Sequence, residues 1–201
     1  MRRLLLTLLA TMVLLVPAAA ASAAGRIPVD PSIMQPALNP AFTWTCWRMD
    51  NKTMCDGEFH DSWTALDIGV PCAGGTIYST GTQDQTLRRW GDADGLALHT
   101  HGTGDIGETL ALNPEMTGTT ARLSAHFSQR FLYGVPGDIS TRVEVLSGND
   151  ITVVVPGTGL VIHDVGVKAF DIEGNLLFAH GQHEALDFDA AFAKICDALQ
   201  G

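Results

Sequence analysis

The chain has 201 residues, 46% of them hydrophobic, with 12 Lys and Arg against 22 Asp and Glu and a formal net charge of −10. That balance repels nucleic acid and anionic lipid headgroups, so neither is an expected partner, and its ordinary meaning is a well-solvated surface. No stretch after the first two dozen residues approaches the roughly 20 apolar residues that a membrane-spanning helix needs.

Residues 1–24 read as a secretory signal peptide. Arg2 and Arg3 supply the charged start, an apolar run follows, and Ala21-Ser22-Ala23 supplies the small-residue cleavage pattern. The expected localisation is therefore secreted, with no membrane span once the signal is cleaved. About 177 residues then remain, enough for one domain that buries on the order of 70% of its unfolded surface.

Residues 25–41 carry Pro28, Pro31, Pro36 and Pro40 and little periodicity, which predicts an extended lead-in, with order starting at Phe42. A single β-rich domain is expected over 42–201. Period-two alternation places strands at 42–49, 52–66, 75–82, 85–90, 96–101, 108–112, 119–133, 140–147, 151–155, 159–170 and 176–180. Asp50-Asn51, Asp94-Gly95, Asn113-Pro114 and Gly148-Asn149 supply turn chemistry between them. Phe188, Phe192, Ile195, Cys196 and Leu199 recur at helical spacing after Asp187, a suitable cap, so a helix is expected over 188–199.

Sequential strands joined by short turns exclude a parallel sheet, whose crossovers are long. The predicted fold class is all-β: an antiparallel up-and-down barrel, or a strongly curled sheet or sandwich, with one C-terminal helix. Closure into a barrel is favoured because it removes exposed edge strands.

Four cysteines in an exported chain read as two disulfides. If Asp50-Asn51 is a two-residue hairpin turn, Cys46 falls opposite Cys55 and Cys72 is left for Cys196. Pairing Cys55 with Cys72 and Cys46 with Cys196 competes, and loop-closure entropy separates the two schemes by only about 1 kcal/mol. The stretch from Pro71-Cys72 through Thr80-Gly81 and Arg88-Arg89-Trp90-Gly91-Asp92-Ala93-Asp94-Gly95 to Ile195-Cys196-Asp197-Ala198-Leu199 resembles a group of exported, uncharacterised β-rich proteins of actinobacteria. The resemblance implies Cys72–Cys196 as the shared bridge and leaves Cys46–Cys55 as a local pair in the first hairpin. It brings no activity with it.

Candidate chemistry is sparse. His99 and His101 lie two apart on a strand and so share a face, a spacing used by metal sites, with His126 or His163 as a third ligand; the alternative is a polar outer face that happens to carry two histidines. Trp44, Trp47 and Trp90 are candidate ligand-binding aromatics, although core packing is their ordinary fate. Trp44 and Trp47 are expected on opposite faces, so one of them is the better surface candidate.

Gly102-Thr103-Gly104-Asp105-Ile106-Gly107 has the glycine spacing of a dinucleotide-binding turn but lacks the helix that such a turn must open. Asp92-Ala93-Asp94-Gly95 and Asp171-Ile172-Glu173-Gly174-Asn175 read as tight turns rather than calcium loops. No nucleophile motif is present, and no cofactor is expected. The functional expectation is a secreted, disulfide-stapled module that binds a small molecule or a surface partner. The alternatives are an extracellular barrel-type hydrolase or cyclase working through carboxylate and His residues, and a structural envelope protein.

Overall fold

The computed structural model describes residues 25–201; the predicted signal peptide lies outside the described residues. Nine strands form one antiparallel sheet in sequence order: β1 (Ile27–Val29), β2 (Thr43–Met49), β3 (Lys52–Cys72), β4 (Gly75–Asp92), β5 (Ala97–Ala111), β6 (Ala121–Tyr133), β7 (Arg142–Val155), β8 (Gly159–Phe170) and β9 (Leu176–His183). One helix, α1 (Phe188–Gln200), follows, with the Asp187 carboxylate accepting from Ala190 N at 3.0 Å as its cap. The up-and-down order and the terminal helix are as the sequence predicts.

The expected barrel is not formed, because β1 and β9 do not pair. β1 is three residues long and contains Pro28, which has no N–H to donate, so it offers little for a ninth strand to close on. The sheet is nonetheless curled. α1 touches β3, β7 and β8, and strands that far apart in a sheet meet one helix only if the sheet wraps around it.

Several predicted breaks are absent. The segments 75–82 and 85–90 are one strand, as are 96–101 with 108–112 and 140–147 with 151–155. Glycines sit mid-strand, where they receive side chains from neighbouring strands. A Cβ on Gly57 would lie 2.6 Å from the Trp44 ring, one on Gly104 would lie 2.5 Å from Phe127 Cζ, and one on Gly102 would collide with Leu87. Gly148, expected in a turn, instead pairs with Gly166, which pairs with Gly181, so three glycines line up across β7, β8 and β9. All three have positive φ, and added Cβ atoms would run into the His126, His180 and Val165 carbonyl oxygens respectively. Only glycine permits this crease.

The other turns follow their chemistry. Asp92 Oδ1 accepts from Asp94 N (3.0 Å) and Leu96 N (2.9 Å), with Gly95 at φ 85°. Asp171 accepts from both nitrogens of Asn175, at 2.8 Å each.

Strand alternation gives the sheet a buried inner and a solvated outer face. The inner face is covered at two ends. At one, Ala191, Ile195, Cys196 and Leu199 of α1 pack on Ile77, Leu110, Ala121, Val153, Val155 and Ile162, and the Cys72–Cys196 disulfide locks the helix down. At the other, the lead-in covers the Cys46–Cys55 disulfide with Met34, which is wholly buried. Order therefore begins before Phe42. The lead-in is pinned by Gln35 N to Gly95 O (2.9 Å), Ala97 N to Gln35 O (2.8 Å) and Arg89 Nη1 to Pro36 O (2.8 Å), partners that lie too far along the chain for local periodicity to reveal.

Candidate functional site

Register decides which outer side chains meet. Directly opposed residues share a face, so the outer face of β2–β6 is a stack of rows. The first is Trp47, Met54, Trp90, His99 and Leu132; the second is Thr45, Asp56, Arg88, His101 and Arg130. Next come Thr43, Glu58, Thr86, Thr103 and Ser128, and then His60, Asp84, Asp105 and His126. Each row sits two residues along from the last, a consequence of the period-two backbone.

Two adjoining depressions of about 510 and 530 Å³ lie over β3, β4 and β5 and share Glu58, Thr86 and Thr103. One reaches His60, Asp84 and Asp105; the other reaches Asp56, Arg88, Trp90 and His101. Together they form one groove along the strands, with carboxylates at one end, hydroxyls in the middle and an aromatic–basic group at the other.

The His60–Asp84–Asp105–His126 row is the least expected feature of this face. Asp84 and Asp105 oppose each other directly on neighbouring strands, an arrangement of like charges that destabilises a sheet. Each carboxylate is met on its far side by an imidazole: His60 Nδ1 lies 2.6 Å from Asp84 Oδ1 and His126 Nδ1 lies 2.5 Å from Asp105 Oδ1. All four side chains are more than half exposed, so these pairs contribute no more than about 1 kcal/mol each.

At the other end, Arg88 grips Asp56 through two bonds, Nε to Oδ1 at 2.5 Å and Nη2 to Oδ2 at 2.8 Å, and the hydrogen bonding to Asp56 raises its pKa further. Trp90 stacks on His99 with ring centroids 4.4 Å apart. Burial lowers the His99 pKa, helped by Lys52 and His101, so this imidazole is neutral at neutral pH and the stack is between two uncharged rings. His101 Nε2 lies 3.0 Å from Ser128 Oγ.

His99 and His101 do share the outer face, but His126 is engaged with Asp105, and His163 Nδ1 lies 3.2 Å from Thr152 Oγ1 three strands away. Among the described residues no group of three or more His, Cys, Asp and Glu side chains is arranged to hold a metal ion. Trp90 lines the groove. Trp47 shares its face but is only 6% exposed, lying under the Arg26 guanidinium at 4.7 Å, so it packs rather than binds. Trp44 is on the inner face, laid over Gly57 beside Phe42 and donating Nε1 to Asn39 O at 2.8 Å.

A charged cluster also lies on the inner face. Asp164 is wholly buried and accepts from Lys168 Nζ (3.0 Å) and Ala185 N (2.9 Å), with His183 Nδ1 at 3.1 Å; Lys168 also pairs with Asp150. Burial alone would push the Asp164 pKa up, but hydrogen bonds from His183, Ala185 and Lys168 together outweigh it and lower the pKa. The cluster ties β7, β8, β9 and the approach to α1 together. His183 Nε2 is buried without a partner.

Glu58, His60, Asp84, Asp105 and the Asp164–His183 pair do not stand out in the sequence. The outer row was within reach: counting back from the Asp92–Gly95 turn, with one bulge at Trp90, aligns Arg88 with His101, Thr86 with Thr103 and Asp84 with Asp105. The glycines of 102–107, which read as a break, conceal that alignment. His183 meets Asp164 only because β9 runs three residues past its expected end. No protein-family model, curated protein or solved structure matches this chain.

Proposed function

We propose that this chain is a binding module for an extended, polyhydroxylated ligand, a glycan chain, held along the outer groove over β3, β4 and β5. The observation that carries the reading is the groove's lining: Asp56, Glu58, Asp84 and Asp105 accept hydrogen bonds, Arg88 donates, Thr86 and Thr103 do both, and Trp90 offers an aromatic surface at one end. A ligand carrying many hydroxyl groups matches such a mixture, whereas a lipid-like ligand would leave these groups unpaired. The inner face supports an apolar ligand less well, since Trp44, Leu87 and Phe127 already lie across its glycines. Two disulfides fit the oxidising, extracellular setting in which such a ligand is met.

The test is a titration of the purified protein with soluble oligosaccharides of β-glucan, chitin, xylan and mannan type, read by tryptophan emission and calorimetry. Saturable binding by at least one class, weakened at least tenfold by both Trp90→Ala and Thr86→Arg, is the expected result. Absence of binding across the panel, or binding indifferent to both substitutions, would reject the groove as the site.

The facing carboxylates Asp84 and Asp105 favour one second reading, hydrolysis of the same ligand, because glycoside hydrolysis uses two such groups. Release of shorter oligosaccharides by the wild type, abolished by Asp84→Asn and by Asp105→Asn, distinguishes hydrolysis from binding.

A further inference from the structure

The two edges of the sheet are unlike. The β1 edge is short and interrupted by Pro28, both of which discourage strand addition. β9 is eight residues long, an edge of about 27 Å at 3.4 Å per residue. It pairs with β8 on one side only, and seven of its eight residues are exposed. Leu176, Leu177 and Phe178 are 47%, 55% and 53% exposed. Its protection is slight: β9 has one bulge, at Leu177, but no Pro, no Lys and no other fixed charge.

We propose that β9 is an interface between two copies of this chain, which pair antiparallel across it about a twofold axis. Three observations favour a second copy as the occupant. First, the strip from Leu176 to His183 lacks Asp, Glu, Lys and Arg, so two chains of net charge −10 can approach here without opposing fixed charges.

Second, the strand is self-complementary. An axis perpendicular to the sheet keeps inner face beside inner face, so facing residues must have the same parity. With the axis at Ala179, Phe178 lies opposite His180 of the second copy, so an aromatic ring meets an aromatic ring on each side of the axis; Leu177, the bulged residue between Phe178 and Leu176, falls outside this paired core. Third, the C-terminal end of β9 is held from behind, since His183 and the following Ala185 are bonded to the buried Asp164 carboxylate. That end of the edge loses little conformational freedom on pairing. The pairing would join two open sheets into one of eighteen strands and remove the edge that incomplete closure leaves exposed.

Sedimentation velocity of the purified protein from low micromolar to submillimolar concentration tests this, with the Leu177→Lys/Phe178→Lys variant in parallel and far-UV circular dichroism as the folding control. Twice the chain mass for the wild type and a single chain mass for the folded variant are expected. Amide exchange in β9 of the wild type should also slow as concentration rises, a readout that does not depend on the variant folding. A wild type that stays at one chain mass throughout, a dimer that survives the double substitution, or β9 amides whose exchange ignores concentration would overturn the proposal.

Discussion

Asp164→Asn separates the charge of the buried cluster from its shape. The substitution keeps the side-chain volume and removes the carboxylate that faces Lys168 and His183 and accepts from Ala185 N. Breaking a buried ion pair by removing one partner costs about 3–5 kcal/mol, because the other charge is left without compensation. Lys168 keeps Asp150, so the lower end, about 3 kcal/mol, applies. For a chain of this size each kcal/mol moves the melting temperature by about 2–4 °C, giving a fall of roughly 6–12 °C at pH 7.

The pH dependence carries the sharper test. The Asp164 pKa is lowered by folding from an ordinary value of 3.8, so the unfolded chain binds its proton first. The stabilisation is therefore fully present above the unfolded value and is lost as pH falls through the lowered folded one. The gap between wild type and Asp164→Asn should be constant from pH 7 down to about pH 5 and then close at more acid pH, since the wild type itself becomes neutral there. Differential scanning calorimetry over that range measures it. Equal melting temperatures at pH 7, or a gap that persists unchanged in strong acid, would refute the assignment of this stability to the Asp164 charge.

Other outcomes follow from the same geometry. Gly166→Ala places a Cβ against the His180 carbonyl oxygen at a φ of 144°, and a destabilisation of at least about 2 kcal/mol is expected in urea titrations; an unchanged midpoint would mean that the crease is not fixed by glycine. Replacing Cys72 and Cys196 together by Ser opens a loop of 124 residues, and a loss of roughly 5 kcal/mol is expected at the urea midpoint. A non-reducing peptide map that joined Cys55 to Cys72 would contradict both disulfides at once. Leu110→Ala, under the helix at 1% exposure, should cost about 2–5 kcal/mol by the same assay, whereas Leu160→Ala, 60% exposed, should cost under about 1 kcal/mol.

Much of this fold was legible one strand at a time. Alternation in β2, β6 and β8, the Asp92–Gly95 and Asp171–Asn175 turns, the Asp187 cap and the helical spacing of Ile195, Cys196 and Leu199 are local patterns, and each appears in the structure where the residues put it. The failures share a cause. Gly102, Gly104 and Gly148 read as breaks because glycine is flexible in isolation, whereas in the sheet Gly102 and Gly104 leave room for Leu87 and Phe127 and Gly148 leaves room for the neighbouring His126 carbonyl.

The candidate site shows the same division. The residues of the groove are individually ordinary, and the sequence orders them only along their own strands. Register across β3, β4, β5 and β6 sets Asp84 against Asp105 between two histidines, and register across β8 and β9 sets His183 against Asp164. An antiparallel meander and a terminal helix are legible in the residues alone, because alternation, capping and turn chemistry act over a few residues, and four cysteines in a chain read as exported imply two disulfides. That the sheet stays open, that the lead-in is part of the core and which side chains share a groove depend on contacts between residues tens of positions apart, and these exist only in the folded chain.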